Sequence, residues 1–186
     1  MSEIKIESVI MYGYKVGLFL FLLFLPISVS IRQMGIGLLF IIFLYDVISN
    51  KRSIDFLVSK ENNLFLLLIT YFYVNTFLVS INKSESLQDL NNVVWQCFLV
   101  YFILYYLVSN NIIPRSYIFK ILILTVVIQG LDGIYQHIVG EDFIKNTKPW
   151  GNRLTASFDS PRVGNFVCLA LPAFFAYYHT SKVFFK

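Results

Sequence analysis

Residues 118–161 decide the fold: the apolar run IFKILILTVVIQGLDGIYQHIV (118–139) is followed by the polar stretch GEDFIKNTKPWGNRLTASFDSP (140–161). The first stretch is long enough to cross a hydrocarbon core of about 30 Å as an α-helix. The second holds Lys145, Lys148 and Arg153, and Arg162 comes just after it. This part of the chain therefore predicts a membrane span that leads into a basic loop.

The composition extends this prediction to the whole chain. Of its 186 residues, 57% are hydrophobic and 14% are charged, and the mean hydropathy is +0.67. A soluble domain of this size could not cover so much apolar surface, so we expect the lipid bilayer to be the main partner. The net charge of +4 is more typical of loops that meet anionic lipid than of a nucleic-acid site in a membrane protein. We expect no nucleic-acid partner.

Six apolar segments predict an all-α, polytopic transmembrane bundle of about six spans, which forms a single membrane domain over residues 1–186. The predicted spans are Tyr12–Ile31, Met34–Ile48, Asn63–Ile81, Val93–Ser109, Ile118–Val139 and Val163–Thr180. Only Arg32 and Gln33 separate the first two segments. One helix over both would be about 55 Å long, so that polar pair and Pro26 predict a tight hairpin of two crossings.

The distribution of Lys and Arg predicts the orientation, because basic residues collect in cytoplasmic loops. With the N-terminus inside, the inner residues are Lys5, Lys15, Lys51, Arg52, Lys60, Arg115, Lys120, Lys182 and Lys186. The outer residues are Arg32, Lys83, Lys145, Lys148, Arg153 and Arg162. Four of these outer cations belong to the 140–161 region. The loop is then either an exception with a purpose or a sign of a different span count, and we favour the exception.

Polar residues inside the spans are the next candidates, because lipid penalises them. Gln129, Asp132 and Gln136 fall at i, i+3 and i+7 on one face of the fifth span. Asn75 in the third span and Gln96 in the fourth are predicted to lie at a similar depth towards the outer side. These residues predict the lining of an outward-facing cavity. The alternative is that they hydrogen-bond between helices and do nothing else.

The four cations Lys145, Lys148, Arg153 and Arg162 predict an anion site, because arginine and lysine bind phosphate oxygens through charge-assisted hydrogen bonds. The alternative is a solvated loop in which nearby carboxylates cancel much of the charge. No residues have metal-ligand spacing, and neither Cys97 nor Cys168 has a partner nearby, so we expect no metal and no cofactor. We also find no nucleophile–base pair.

Three short motifs resemble the O-antigen ligase and O-antigen polymerase superfamily. The most specific is Arg153-Leu-Thr-Ala-Ser-Phe158-Asp-Ser-Pro161, followed by a span with Ala170-Leu-Pro172. The preceding 128–136 stretch IQGLDGIYQ and the early Leu25-Pro26-Ile-Ser28 also agree with the family pattern. The chain departs from it at Arg162, where asparagine is common. The family has roughly twice as many spans, so the chain resembles its N-terminal half.

The resemblance implies metal-independent glycosyl transfer in the bacterial inner membrane, with a cytoplasmic N-terminus. The donor would be a glycan on undecaprenyl diphosphate, and the acceptor would be lipid A core or a growing glycan. Arg153 would hold the donor diphosphate as it leaves. The family's catalytic histidine belongs to a C-terminal half that we expect to be absent, so we expect no catalytic residue here and no activity of the chain alone. Alternatives are an O-antigen polymerase, a small anionic-lipid transporter or a structural membrane subunit.

Overall fold

The computed structural model describes residues 2–49, 59–149, 151, 153–158, 164, 166–168, 170–172, 174, 175 and 178; the side chains of 2–6, 60, 61 and 93 are not described. The regular structure of these residues is helical, which confirms the all-α prediction. The helices are α1 (Ser2–Leu23), α2 (Val29–Ser49), α3 (Lys60–Val79), α4 (Lys83–Ser109) and α5 (Arg115–Val139). The described positions from 164 to 178 are also helical.

Within the described part of the chain, four helices are long and apolar enough to cross a membrane. They cover Val29–Ser49, Asn62–Val79, Lys83–Ser109 and Arg115–Val139. Between 6% and 28% of the residues in their most apolar windows are buried inside the protein, so most of this apolar surface is left for lipid. The chain is therefore a membrane protein, and the part of it that the structure describes holds about four candidate spans where about six were predicted for the whole chain. In the predicted span Val163–Thr180 the described positions are helical, and the other positions lie outside the described residues.

The first hairpin turns at a different place from the predicted one. We expected the break at Arg32 and Gln33, but α1 ends at Leu23 and both of those residues lie inside α2. Pro26 explains the shift, because it has no N–H to continue the helix and its ring crowds the preceding turn. Ser28 then starts α2, since its Oγ accepts a hydrogen bond from the Ile31 N–H at 3.4 Å.

The helices also extend beyond the predicted spans. The fourth predicted span begins at Val93, whereas α4 begins at Lys83 and its first turn contains Glu85. The added turns are polar, so hydropathy alone did not mark them. A carboxylate in the first turn is favourable there because it faces the positive end of the helix dipole.

The chain divides into two compact units. The first comprises Met1–Gly13 and Ile36–Ile112, and the second comprises Tyr14–Gly35 and Ile113–Lys186. The single membrane domain over residues 1–186 stays a prediction. The two halves of α1 and of α2 belong to different units.

In the first unit, aromatic residues and buried hydrogen bonds join the helices. Phe65 of α3 stacks on Tyr101 of α4 at a centroid distance of 4.1 Å. The Tyr106 hydroxyl donates to the Asp46 carboxylate at 2.8 Å, and both residues are almost completely buried. The Asp46–Tyr106 bond ties α4 to α2.

In the second unit, α1 and α2 approach closely at Gly35. A Cβ on Gly35 would lie 2.7 Å from the Phe21 backbone nitrogen and 3.1 Å from the Gly17 oxygen, so only glycine allows this approach. Tyr117 at the start of α5 donates to the Lys15 carbonyl at 3.1 Å.

The carbonyl of Leu22 is the acceptor that Pro26 leaves without its helical donor. The Thr125 hydroxyl of α5 lies 3.2 Å from this oxygen, and also 2.9 Å from the Ile121 carbonyl of its own helix. Thr125 is 1% exposed. The threonine therefore links the end of α1 to α5.

Replacing Thr125 with valine is expected to lower the free energy of unfolding by about 1–2 kcal/mol, because the buried Leu22 carbonyl loses its partner. Reversible unfolding in detergent would measure the change. Thr70→Val is the matched control, since the exposed Thr70 hydroxyl donates to the Leu66 carbonyl of its own helix, and no bond to another described helix is seen. Equal effects of the two variants would show that the bond between helices contributes nothing.

Candidate functional site

The three predicted polar residues of α5 share one buried face. Gln129 and Asp132 are 0% exposed, and Gln136 is 1% exposed. Their neighbours Leu131 and Ile134 are about 60% exposed on another side of the helix. This separation follows from the helical period, because positions i, i+3 and i+7 lie together. The three side chains therefore form one buried polar stripe along α5.

The carboxamide of Gln136 holds the chain that returns after the loop. Its Oε1 accepts from the backbone N–H groups of Thr155 at 2.8 Å and Ala156 at 3.0 Å. Its Nε2 donates to the Thr155 hydroxyl at 2.9 Å and to the Thr147 carbonyl at 3.0 Å. Ala156 is buried and has a φ of 44°, which costs free energy for a residue with a side chain. Gln136 therefore stabilises a strained backbone conformation.

Asp132 and Gln129 continue this attachment further down α5. The Ser157 hydroxyl donates to Asp132 Oδ2 at 2.5 Å and accepts from Gln129 Nε2 at 3.2 Å. The other oxygen of Asp132 accepts from the Phe143 N–H at 2.9 Å. Ser157 is 0% exposed, so its hydroxyl does not face an incoming substrate. The Asp132–Ser157 pair has a structural role in this arrangement.

These contacts make residues 153–158 a re-entrant segment, meaning a non-helical stretch that runs back along the span. Gln129 precedes Val139, the last residue of α5, by about 15 Å of helix. Ser157 reaches Gln129, so the segment returns through much of that distance. Irregular backbone is tolerated at membrane depth only where protein covers it or water reaches it. The polar stripe of α5 is the cover for this segment.

Asp142 organises the loop between α5 and the re-entrant segment. Its carboxylate accepts from the N–H groups of Ile144 at 3.1 Å, Lys145 at 2.6 Å and Thr147 at 2.8 Å, and from the Thr147 hydroxyl. Burial by itself would raise the pKa of Asp142. The Thr147 hydroxyl and the three N–H groups outweigh burial, and they hold the pKa below its usual value of 3.8.

Three of the four predicted cations lie in this loop and at the start of the re-entrant segment, and they differ in exposure. Arg153 and Lys148 are exposed, whereas Lys145 is half-buried and has partners within the protein. Arg162 lies outside the described residues. Arg153 opens the re-entrant segment, so its position depends on the bonds at Thr155 and Ala156. Two exposed cations, Lys148 and Arg153, therefore lie on backbone that hydrogen bonds to Asp142 and to the α5 stripe hold in place.

The remaining predicted residues belong to the other compact unit. Asn75 of α3 is exposed, and Gln96 of α4 is half-buried. The common cavity with Gln129, Asp132 and Gln136 stays a prediction. What the structure shows for the three α5 residues is hydrogen bonding to the loop and the re-entrant segment.

Sequence reasoning missed the residues that form hydrogen bonds with the α5 stripe. Thr147, Thr155 and Ser157 are small hydroxyl residues in a loop, and such residues are common in loops without any special role. A usable signal was present, because three polar groups inside a span require partners and the following loop supplies hydroxyls and N–H groups. The stabilising role of Asp142 was also missed, since its charge was counted only as one that cancels lysine.

The described residues of this region show two exposed cations, Lys148 and Arg153. Among the residues that the structure describes, no three His, Cys, Asp or Glu side chains are grouped so that they could hold a metal ion. Comparisons with protein-family models, curated proteins and solved structures gave no match to this chain.

Proposed function

We propose that this protein is the donor-binding membrane part of an O-antigen ligase-type glycosyltransferase. It would bind the diphosphate of an undecaprenyl-linked glycan. The glycan is then transferred to lipid A core or to a growing glycan, and undecaprenyl diphosphate leaves. The observation that carries the proposal is the re-entrant segment, which the buried stripe of α5 holds and which begins at the exposed Arg153. The motif resemblance at residues 153–161 supports the same conclusion.

Charge and location support an anionic lipid as the ligand. Arg153 and Lys148 are exposed, and neither forms a described ion pair. We propose that the N-terminus lies in the cytoplasm and that this loop lies on the outer face of the bacterial inner membrane. Basic loops are otherwise scarce on that outer face. A guanidinium can bind two phosphate oxygens at once, and the lysine ammonium adds a second point charge. Together they would neutralise charge that builds up on a diphosphate leaving group.

The proposed role of this chain is binding and charge stabilisation. The acceptor hydroxyl also needs a base to remove its proton, and the described site provides none. Ser157 and Asp132 are fully buried and bonded to each other. We therefore propose that the base comes from a further part of the enzyme, as in the family that the motifs resemble.

Replacing Arg153 with alanine is expected to weaken the binding of undecaprenyl diphosphate by about tenfold, because one charge-assisted contact is worth about 1.5 kcal/mol. The affinity of Arg153→Lys should lie between those of the wild-type protein and Arg153→Ala, since lysine keeps the charge but cannot form the bidentate contact of a guanidinium. Binding would be measured by titrating the lipid into the purified protein in nanodiscs.

Lys83→Ala is the matched control, because Lys83 is an exposed cation at the start of α4 and is also predicted to be on the outer side. It should leave the affinity unchanged. Equal losses for Arg153→Ala and Lys83→Ala would indicate a general effect of net charge. Unchanged binding in Arg153→Ala would remove this residue from the proposed site.

A second candidate function is an anionic-lipid transporter or binding subunit without transfer activity. It is favoured by the two exposed cations, Lys148 and Arg153, because they can bind an anionic headgroup without any transfer step. Titration with phosphatidylglycerol in place of undecaprenyl diphosphate separates the two. Equal affinity for both lipids would favour the binding subunit.

A further inference from the structure

One buried polar atom beside Ser157 has no hydrogen-bond partner among the residues that the structure describes. Gln129 is 0% exposed, and its Oε1 accepts no hydrogen bond from those residues, although its Nε2 donates to Ser157. Exchanging the carboxamide oxygen and nitrogen would leave the nitrogen unpartnered instead. Either way, one arm of a buried amide needs a partner, because an unsatisfied polar group is costly in a membrane interior.

Room for such a partner exists beside Gly133. This glycine is buried in α5 and lies one turn after Gln129, so the two residues share a face. Apart from its two chain neighbours and the backbone of its own helix, a Cβ on Gly133 would meet no atom of the described residues within 4 Å. Since Cβ atoms tilt towards the N-terminus of a helix, this room lies on the Gln129 side.

The surrounding groups define the chemistry of the partner. Asp132 Oδ1 and Oδ2 each accept one hydrogen bond and can accept another. The Gln129 oxygen and the Asp132 oxygens together call for a small molecule that donates more than one hydrogen bond and carries no negative charge. A water molecule has the right size and donors, and buried waters commonly bridge such groups.

We propose that Gln129, Asp132 and Gly133 form a buried binding site for water at the depth of the re-entrant segment. The site does not depend on the proposed glycosyl transfer. It would hydrate the inner end of the segment and satisfy the free arm of Gln129. The non-helical backbone of residues 153–158 would then be satisfied in two ways, by hydrogen bonds to Gln136 and by water beside Gln129.

Water-edited solid-state NMR of the full chain in nanodiscs tests the site directly. Polarisation from water is expected to reach the side-chain carboxamide carbon of Gln129 several-fold faster than that of Gln136. Gln136 is an internal control, because it lies nearer the end of α5 and both arms of its amide are bonded to protein. Equally slow transfer to both residues would overturn the proposal.

Two alanine variants locate the water. Gly133→Ala fills the room beside Gln129 and should reduce the fast transfer to the level of Gln136. Gly130→Ala is the matched control, because a Cβ at this half-buried glycine also meets no described atom within 4 Å apart from its chain neighbours and its own helix backbone. It should leave the transfer to Gln129 unchanged. Fast transfer that persists in Gly133→Ala would place the water elsewhere and contradict the proposed site.

Discussion

Replacing Gln136 with leucine is expected to lower the free energy of unfolding by about 3 kcal/mol and to release the re-entrant segment from α5. Leucine has a similar volume but cannot accept from the buried N–H groups of Thr155 and Ala156, which Gln136 Oε1 now satisfies. Each unsatisfied buried donor costs about 1–3 kcal/mol. The strained φ of Ala156 would also lose its support.

Two measurements check this prediction. Reversible unfolding in detergent gives the change in stability, and hydrogen exchange of the Thr155 and Ala156 amides reports the local release. Gln96→Leu is the matched control, since Gln96 is a half-buried glutamine of α4 for which no hydrogen bond is described. Equal changes for the two variants, or amides that stay protected in Gln136→Leu, would show that Gln136 does not hold the segment.

The polar stripe of α5 shows how far sequence reasoning reaches. Helical periodicity predicts that Gln129, Asp132 and Gln136 share a face, because that relation is local. Their partners Thr155 and Ser157 come 19 to 28 residues later in the chain. No local pattern connects a polar face in a span to hydroxyls in a loop, so the re-entrant segment could not be predicted from spacing.

The first hairpin shows the opposite failure. Hydropathy continues across Pro26 into Val29 and Ile31, so the apolar run hides a helix end that proline chemistry dictates. The polar pair at Arg32 and Gln33 was more visible, and the turn was wrongly placed there. Membrane spans are well marked by hydropathy, whereas their ends are set by backbone donors and acceptors. The hydrogen bond from Thr125 to the Leu22 carbonyl is an example, because it satisfies an acceptor at the end of α1 and hydropathy does not mark it.

Replacing Asp142 with asparagine is expected to cost about 2–3 kcal/mol and to disorder the loop that carries Lys148. The carboxylate accepts from three backbone N–H groups and one hydroxyl, and hydrogen bonds to a charged group are worth about 1.5–3 kcal/mol. Asparagine would turn an N–H₂ group towards some of these donors. Glu141→Gln is the matched control, because Glu141 is a half-buried neighbouring carboxyl without a described hydrogen bond.

The same residue predicts how the loop responds to acid. Because the hydrogen bonds lower the pKa of Asp142 below 3.8 in the folded protein, its stabilising contribution is fully present above that value. It is lost as the pH falls further, through the folded-state pKa, when the carboxylate takes up a proton. NMR signals of the Lys145 and Thr147 amides, followed from pH 7 downwards, should therefore report an ordered loop until the pH falls below about 3.8. Asp142→Asn should lack this acid step, while Glu141→Gln should keep it. A wild-type loop that loses order near pH 5, or an acid step that persists in Asp142→Asn, would assign the response to another group.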